Sequence, residues 1–153
     1  METIKAPNPF DKALAKSSSI FLAGSIDMGE AVDWQDQITE ALSDLDVVVL
    51  NPRRDDWDSS WKQDISDPQF SEQVNWELDG LEAADMIVVY FDPDGQAPVT
   101  LLELGLSADR NIVVCCPPGY WRRGNVQIVC QRKGIMLLDS LDALIDTVVK
   151  QFS

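Results

Sequence analysis

The 153-residue chain contains no histidine. That single absence removes imidazole general bases, Ser-His-Asp triads and His-ligated zinc, so acid–base and nucleophilic work must fall to carboxylates, Lys, Tyr, Cys or Ser. Basic side chains are scarce as well: 12 Lys and Arg stand against 26 Asp and Glu, a formal net charge of −14. A surface of that sign repels phosphate backbones and anionic lipid, so neither nucleic acid nor a membrane is expected as a partner; a small neutral ligand is still allowed. Cysteine is limited to Cys115, Cys116 and Cys130, an odd number with no CxxC spacing. This pattern points to reduced, buried thiols in a cytoplasmic protein, not to disulfides or a metal site. No run is apolar and long enough to span a bilayer, and residues 1–18 lack the apolar centre of a secretory signal.

What is present fits a folded domain. Apolar residues make up 45% of the chain and charged residues 25%, enough for a real core at this length. Short apolar runs alternate with helix-spaced segments. Strands are expected at 19–23, 46–50, 86–91, 112–116 and 135–138, the second of them the β-branched run DVVVL. Helices are expected at 31–45, from an Asp67 cap and Pro68 to about residue 84, at 100–109, 123–132 and 140–152. In the first of these Val32, Ile38, Leu42 and Leu45 are the inward positions.

Strands apolar throughout and separated by helices imply a parallel sheet covered on both faces. The expected architecture is α/β, a flavodoxin-like three-layer sandwich with a five-stranded parallel sheet of order 2-1-3-4-5. Residues 19–153 form one domain, and residues 1–18 an N-terminal arm leading into it. Ligands of such sheets sit beyond the carboxyl ends of the strands at the switch point, which would gather residues 24–27, 92–97 and the segment after Cys116 around one crevice.

Two carboxylates stand out. Glu103 follows the third strand in the string Thr100-Leu-Leu-Glu103, which reads equally as a capping box and as an acid held ionised by a helix N-terminus. On the preceding helix the inward stripe reads Phe70, Val74, Leu78 and Leu81, and Glu77 falls inside it between Leu81 and Ala84, while Asp79 faces solvent. A carboxylate is rarely buried unless it is paired or used. Two acids beside one crevice suit glycosyl transfer, where one attacks the anomeric carbon and the other manages protons or orients groups. Trp34, Trp57 and Trp61 are candidates for stacking on a base. The long polar segment 51–66, with Arg53 and Arg54, has the size of a lid.

Three strings carry a resemblance to a known family. Ile20-Phe-Leu-Ala-Gly-Ser-Ile26 resembles the opening strand and turn of the nucleoside 2-deoxyribosyltransferase superfamily. Asn75-Trp-Glu77-Leu-Asp-Gly80-Leu81 followed by Ala84-Asp85 is similar to its second signature, and Leu102-Glu103-Leu-Gly105 to the third. The likeness continues through Arg122-Arg-Gly-Asn125-Val126.

The resemblance implies a cytoplasmic enzyme that cleaves the N-glycosidic bond of a 2′-deoxynucleoside through a covalent glycosyl-glutamate and passes the sugar to another base. Glu103 would be the nucleophile, and Glu77 would contact the sugar or the nucleophile. Gly24, Ser25 and Asp27 would line the substrate site. Asp92 or Asp94 would handle the nucleobase proton, and Asn125 would reach the sugar from a neighbouring subunit. Neither a metal nor an organic cofactor is implied. The expected partners are a nucleoside, a nucleobase and further copies of the chain, as a dimer or larger homo-oligomer with a shared pocket.

The chain departs from the family pattern at three places. Phe21 stands where the family often has Tyr, Asp94 lies nine residues before Glu103, and Asp27 replaces the phosphate-binding arginine of the deoxynucleotide hydrolases. Two rival readings remain. One is hydrolysis alone, of a nucleoside, a nucleoside monophosphate or NAD, as in the similar TIR-type hydrolases. The other is a non-catalytic nucleotide-sensing or interaction module in which Glu103 is only a cap.

Overall fold

The computed structural model describes residues 1–26 and 33–153. Along the chain the elements are β1 (Glu2–Lys5), α1 (Asp11–Leu14), β2 (Ser19–Gly24), α2 (Trp34–Ala41), β3 (Val48–Asn51) and α3 (Pro68–Ala83). They continue with β4 (Met86–Tyr90), α4 (Pro98–Ser107), β5 (Ile112–Cys115), α5 (Arg123–Lys133), β6 (Met136–Leu138) and α6 (Leu141–Phe152).

The strands pair in parallel in the order β1-β3-β2-β4-β5-β6. The order expected from sequence is that of β2 to β6, and the architecture is flavodoxin-like. Among the described residues the sheet nevertheless has six strands, not five, because the supposed arm supplies one. Glu2 to Lys5 run beside Val48 to Asn51 in register. The segment was missed because a four-residue strand with one buried position, Ile4, carries almost no periodic signal.

Alternation along the central strands divides the core. Phe21, Ala23, Ile87, Val89 and Phe91 point to the side covered by α1, α3, α4 and α5. Ile20, Leu22, Met86, Val88 and Tyr90 point to the side covered by α2 and α6. Because both faces of these central strands are buried, they read as continuous apolar runs.

The first helix of the expected set begins later than predicted. Asp33 caps it by accepting from Asp36 N–H, and Ile38 and Leu42 are buried as expected. Ala31 and Val32 lie outside the described residues.

Residues 1–18 also hold α3 in place. The Trp76 indole N–H donates to the Asn8 carbonyl at 2.8 Å. Its ring meets Phe10 edge-on at 5.6 Å and Phe21 at 6.0 Å. Where α3 crosses β2 it carries Gly80, since a Cβ there would come within 2.6 Å of the Phe21 ring. Two aromatic contacts and a missing side chain thus bring α3 close to the sheet.

Candidate active site at the switch point

The chain leaves β2 toward one neighbour and β4 toward the other, so the carboxyl ends of these two strands open the switch point. Gly24, at the end of β2, serves the backbone. A Cβ there would fall 2.4 Å from the Tyr90 carbonyl and 2.6 Å from the Trp34 ring, so only glycine lets the two strands stay paired. Ser25 follows, fully buried. Its N–H donates to the Tyr90 carbonyl at 3.0 Å, and its Oγ accepts from Asp92 N–H at 2.9 Å. Asp92 is buried too, and its carboxylate accepts from Asp94 N–H at 2.9 Å, closing the turn after β4. Asp94 is exposed on that turn. Ser25, Asp92 and Asp94 are therefore one hydrogen-bonded unit, while Asp27 lies outside the described residues.

Helix α3 brings Glu77. Asp67 caps the helix as expected, accepting from Gln69 and Phe70 N–H, with Pro68 in the first turn. The inward face differs from the predicted stripe. Gln73, Trp76, Gly80, Leu81 and Ala84 are buried, whereas Phe70, Val74 and Leu78 are only half-buried. The rotation comes from Trp76 and Gly80, whose contacts with the arm and Phe21 outweigh the aliphatic positions. Glu77 stays on the inward side in either reading, since it lies four residues after Gln73 and four before Leu81. Part of its surface is accessible, but its carboxyl is surrounded by protein. Burial pushes its pKa up to about 7, against a smaller downward pull from a hydrogen bond with the Gln73 amide.

Helix α4 brings Glu103, and here the structure corrects two expectations. The helix begins at Pro98 behind Ala97, which has left-handed φ and ψ of 46° and 53° and no side-chain cap. Thr100 is therefore inside the helix, buried, and forms no capping box with Glu103. The proline two residues before Thr100 sets the start, because its φ is preformed for a first helical turn. Glu103 sits in the second turn, too deep for the helix terminus to keep it ionised. It is 8% exposed. Burial raises its pKa to about 8, and the charge of Glu77 adds to the rise. Buried Thr100 and Ser107 flank it on the same face. The two glutamates thus come from different helices into one low-dielectric region, where the charge of Glu77 acts on Glu103.

A profile described as nucleoside 2-deoxyribosyltransferase like matches residues 17–120. The chain belongs to that family. The span takes in the Ser25–Asp92–Asp94 unit and both glutamates, Glu77 and Glu103. The fold is also similar to a crystal structure of a conserved protein from Enterococcus faecalis V583, with 13% identity, a TM-score of 0.57, and coverage of 88% of this chain and 98% of that one. That likeness is one of fold. No curated protein matches.

Outside the matched span lies Asn125, exposed on α5. Within the chain it joins neither glutamate. It lines a groove of about 430 Å³ between α4 and α5, with Leu101, Leu104 and Gly105 opposite. Phe21, where this family often has Tyr, is fully buried under α3 and packs on Trp76. Trp34 is fully buried against Tyr90 and is core, not a stacking platform.

Trp57 and Trp61 pack on each other at 5.1 Å, and the Arg54 guanidinium lies over Trp61. Arg54 also pairs with Asp56 and Glu72. Arg53 hydrogen-bonds Gln35 at 3.4 Å and lies 3.8 Å from Asp33. Sequence reasoning missed Gln73, although its spacing of four residues from Glu77 on one helix face was visible.

Proposed function

We propose that the chain cleaves the N-glycosidic bond of a 2′-deoxynucleoside and transfers the sugar to a second base, with Glu103 as nucleophile. The carrying observation is the pair of buried glutamates on α3 and α4, each with a raised pKa and the charge of one acting on the other. Near neutral pH such a pair gives up one proton and resists losing the second. It therefore offers one carboxylate and one acid, the two forms that a retaining glycosyl transfer uses. Glu103, with the higher pKa, is the protonated partner in the free chain, so its proton passes to Glu77 or to solvent before it attacks. A Glu103 oxygen attacks C1′, and the C1′–N bond breaks with its electrons going to the departing base, which takes up a proton from solvent by way of Asp92 or Asp94. The incoming base then attacks C1′ and gives up its N–H proton by the same route, while the ester bond breaks to restore the Glu103 carboxylate. Glu77 holds the nucleophile or a sugar hydroxyl, and the Ser25–Asp92–Asp94 unit faces the base. The chemistry calls for no metal or organic cofactor.

A homo-oligomer that brings Asn125 to a neighbour's sugar belongs to the same reading. Its support is an exposed apolar surface beside the groove: Val99, Leu102 and Leu106 on α4, and Ile128 and Val129 on α5. Sedimentation as a monomer at micromolar concentration would remove this part.

Incubation with deoxyinosine and adenine, followed by mass spectrometry of the small molecules and of the intact protein, tests the whole. The expected result is deoxyadenosine together with protein heavier by one deoxyribosyl group. Glu103→Gln should abolish the adduct and lower turnover by about a thousand-fold or more while the fold survives. Free deoxyribose as the sole sugar product despite excess adenine would convert the reading to hydrolysis. Undiminished turnover by Glu103→Gln would end it.

A further inference from the structure

Gln96 lies between the turn after β4 and the start of α4, and its carbonyl accepts two hydrogen bonds from the segment after β5. The Tyr120 hydroxyl donates to it at 2.5 Å and the Trp121 indole N–H at 2.9 Å. Both lone pairs of that oxygen are thereby used. Tyr120 is buried and its ring packs on Phe91 at 4.7 Å, so its hydroxyl is aimed from a fixed base. Trp121 is 53% exposed, with the Arg122 guanidinium over its ring. A ring half in water gains little from burial, so what Trp121 adds here is its N–H.

The next residue shows what the two donors hold. Among the described residues Ala97 alone of the non-glycine residues has positive φ, at 46° with ψ 53°. Two effects oppose that conformation: the Cβ crowds the following carbonyl oxygen, and Pro98 favours an extended backbone before it. Such a residue persists only where its surroundings fix it. On the helix side, the Ala97 carbonyl accepts from Leu101 N–H at 3.2 Å. On the other side stands the doubly bonded Gln96 carbonyl. The turn at Ala97 sets the direction in which α4 leaves the sheet edge, and Glu103 lies about 7.5 Å along the helix axis from Pro98. We propose that Tyr120 and Trp121 are positioning residues: by clamping the Gln96 carbonyl they keep Ala97 left-handed, and so keep Glu103 in its buried position. The catalytic meaning of the clamp rests on the function proposed above, but the clamp itself does not.

In the wild-type chain the Trp121 indole N–H should exchange with solvent about tenfold or more slowly than a free indole, although its ring is exposed. Exchange at the free rate overturns the proposal, and this readout needs no variant to fold. The double variant of Tyr120→Phe and Trp121→Phe keeps an aromatic ring at both positions and removes both donors. In it α4 should shift and admit water to Glu103, whose charged neighbour Glu77 is left in place. The midpoint of the Glu103 carboxyl carbon, assigned with Glu103→Gln, should then fall by about one pH unit. The value of kcat should fall about tenfold or more at constant KM. Adding Ala97→Gly should return most of both losses, because glycine takes positive φ without a clamp. Packing lost elsewhere would not be repaired at residue 97. A folded double variant with the wild-type midpoint overturns the proposal, and so does a loss that Ala97→Gly leaves untouched. Should Glu103→Gln keep full turnover, the function falls, while the indole exchange and the Glu103 midpoint still decide the clamp.

Discussion

Glu103 is held toward its neutral form by burial first and by the charge of Glu77 second. A buried carboxyl whose pKa is higher in the folded chain than in the unfolded one binds its proton more tightly when folded. Its contribution to stability is therefore complete below the unfolded value near 4.5 and is lost as pH rises through about 8. Glu77 behaves in the same sense, with its loss centred lower, near 7. The melting temperature should accordingly decline between pH 5 and pH 9, beyond what the net charge alone imposes. Glu103→Gln should make that decline shallower and melt higher than wild type at pH 9, by calorimetry. A variant that melts lower than wild type at pH 9 would show that the carboxylate is stabilised in the fold after all.

Among the elements, α3 and α4 start in contrasting ways. Helix α3 has a capping aspartate, two backbone donors satisfied by it, and a proline in its first turn. Asp67→Ala should lower the urea midpoint without a change in slope. The same variant frees Lys62 N–H, which also donates to Asp67, so the end of the loop should exchange faster. Helix α4 has no such cap. Its entry is held from outside by Tyr120 and Trp121, both of which donate to the Gln96 carbonyl. These bonds fix the residue before Ala97, whose left-handed conformation is costly for a side chain with a Cβ. The strain sits at the entrance to the helix that carries Glu103.

At the scale of the whole molecule, the sheet joins the two glutamates to a distant part of the chain. Strand β1 pairs with β3, and the residues just after β1 latch α3 through Asn8, Phe10 and Trp76. Removing residues 1–10 should lower the melting temperature by several degrees. It should also bring the Glu77 midpoint down toward an ordinary carboxyl as α3 loosens and water enters. A truncated chain with unchanged melting and an unchanged Glu77 titration would show that the latch is idle. Among the described residues no helix is long and apolar enough to cross a membrane.

Much of this was legible in the chain before any coordinates. Strands that are apolar on both faces, with helical spacing between them, allow only a covered parallel sheet, and its switch point follows from the order of the strands. Glu77 on the inward face and Glu103 after β4 were both readable, because helical periodicity reports which side a residue faces. The sequence did not reveal where α4 starts, that Gln73 and not an aliphatic residue faces Glu77, that Trp34 is core, or that residues 2–5 complete the sheet. These depend on contacts between residues far apart in sequence: Trp76 with Asn8, Gln73 with Pro52, Gln96 with Tyr120. Such contacts leave no local pattern, since either partner alone looks like an ordinary surface or core residue. The protonation of the pair belongs to the tertiary structure as well, because desolvation and the charge of a neighbouring helix exist only once the two helices have been packed together.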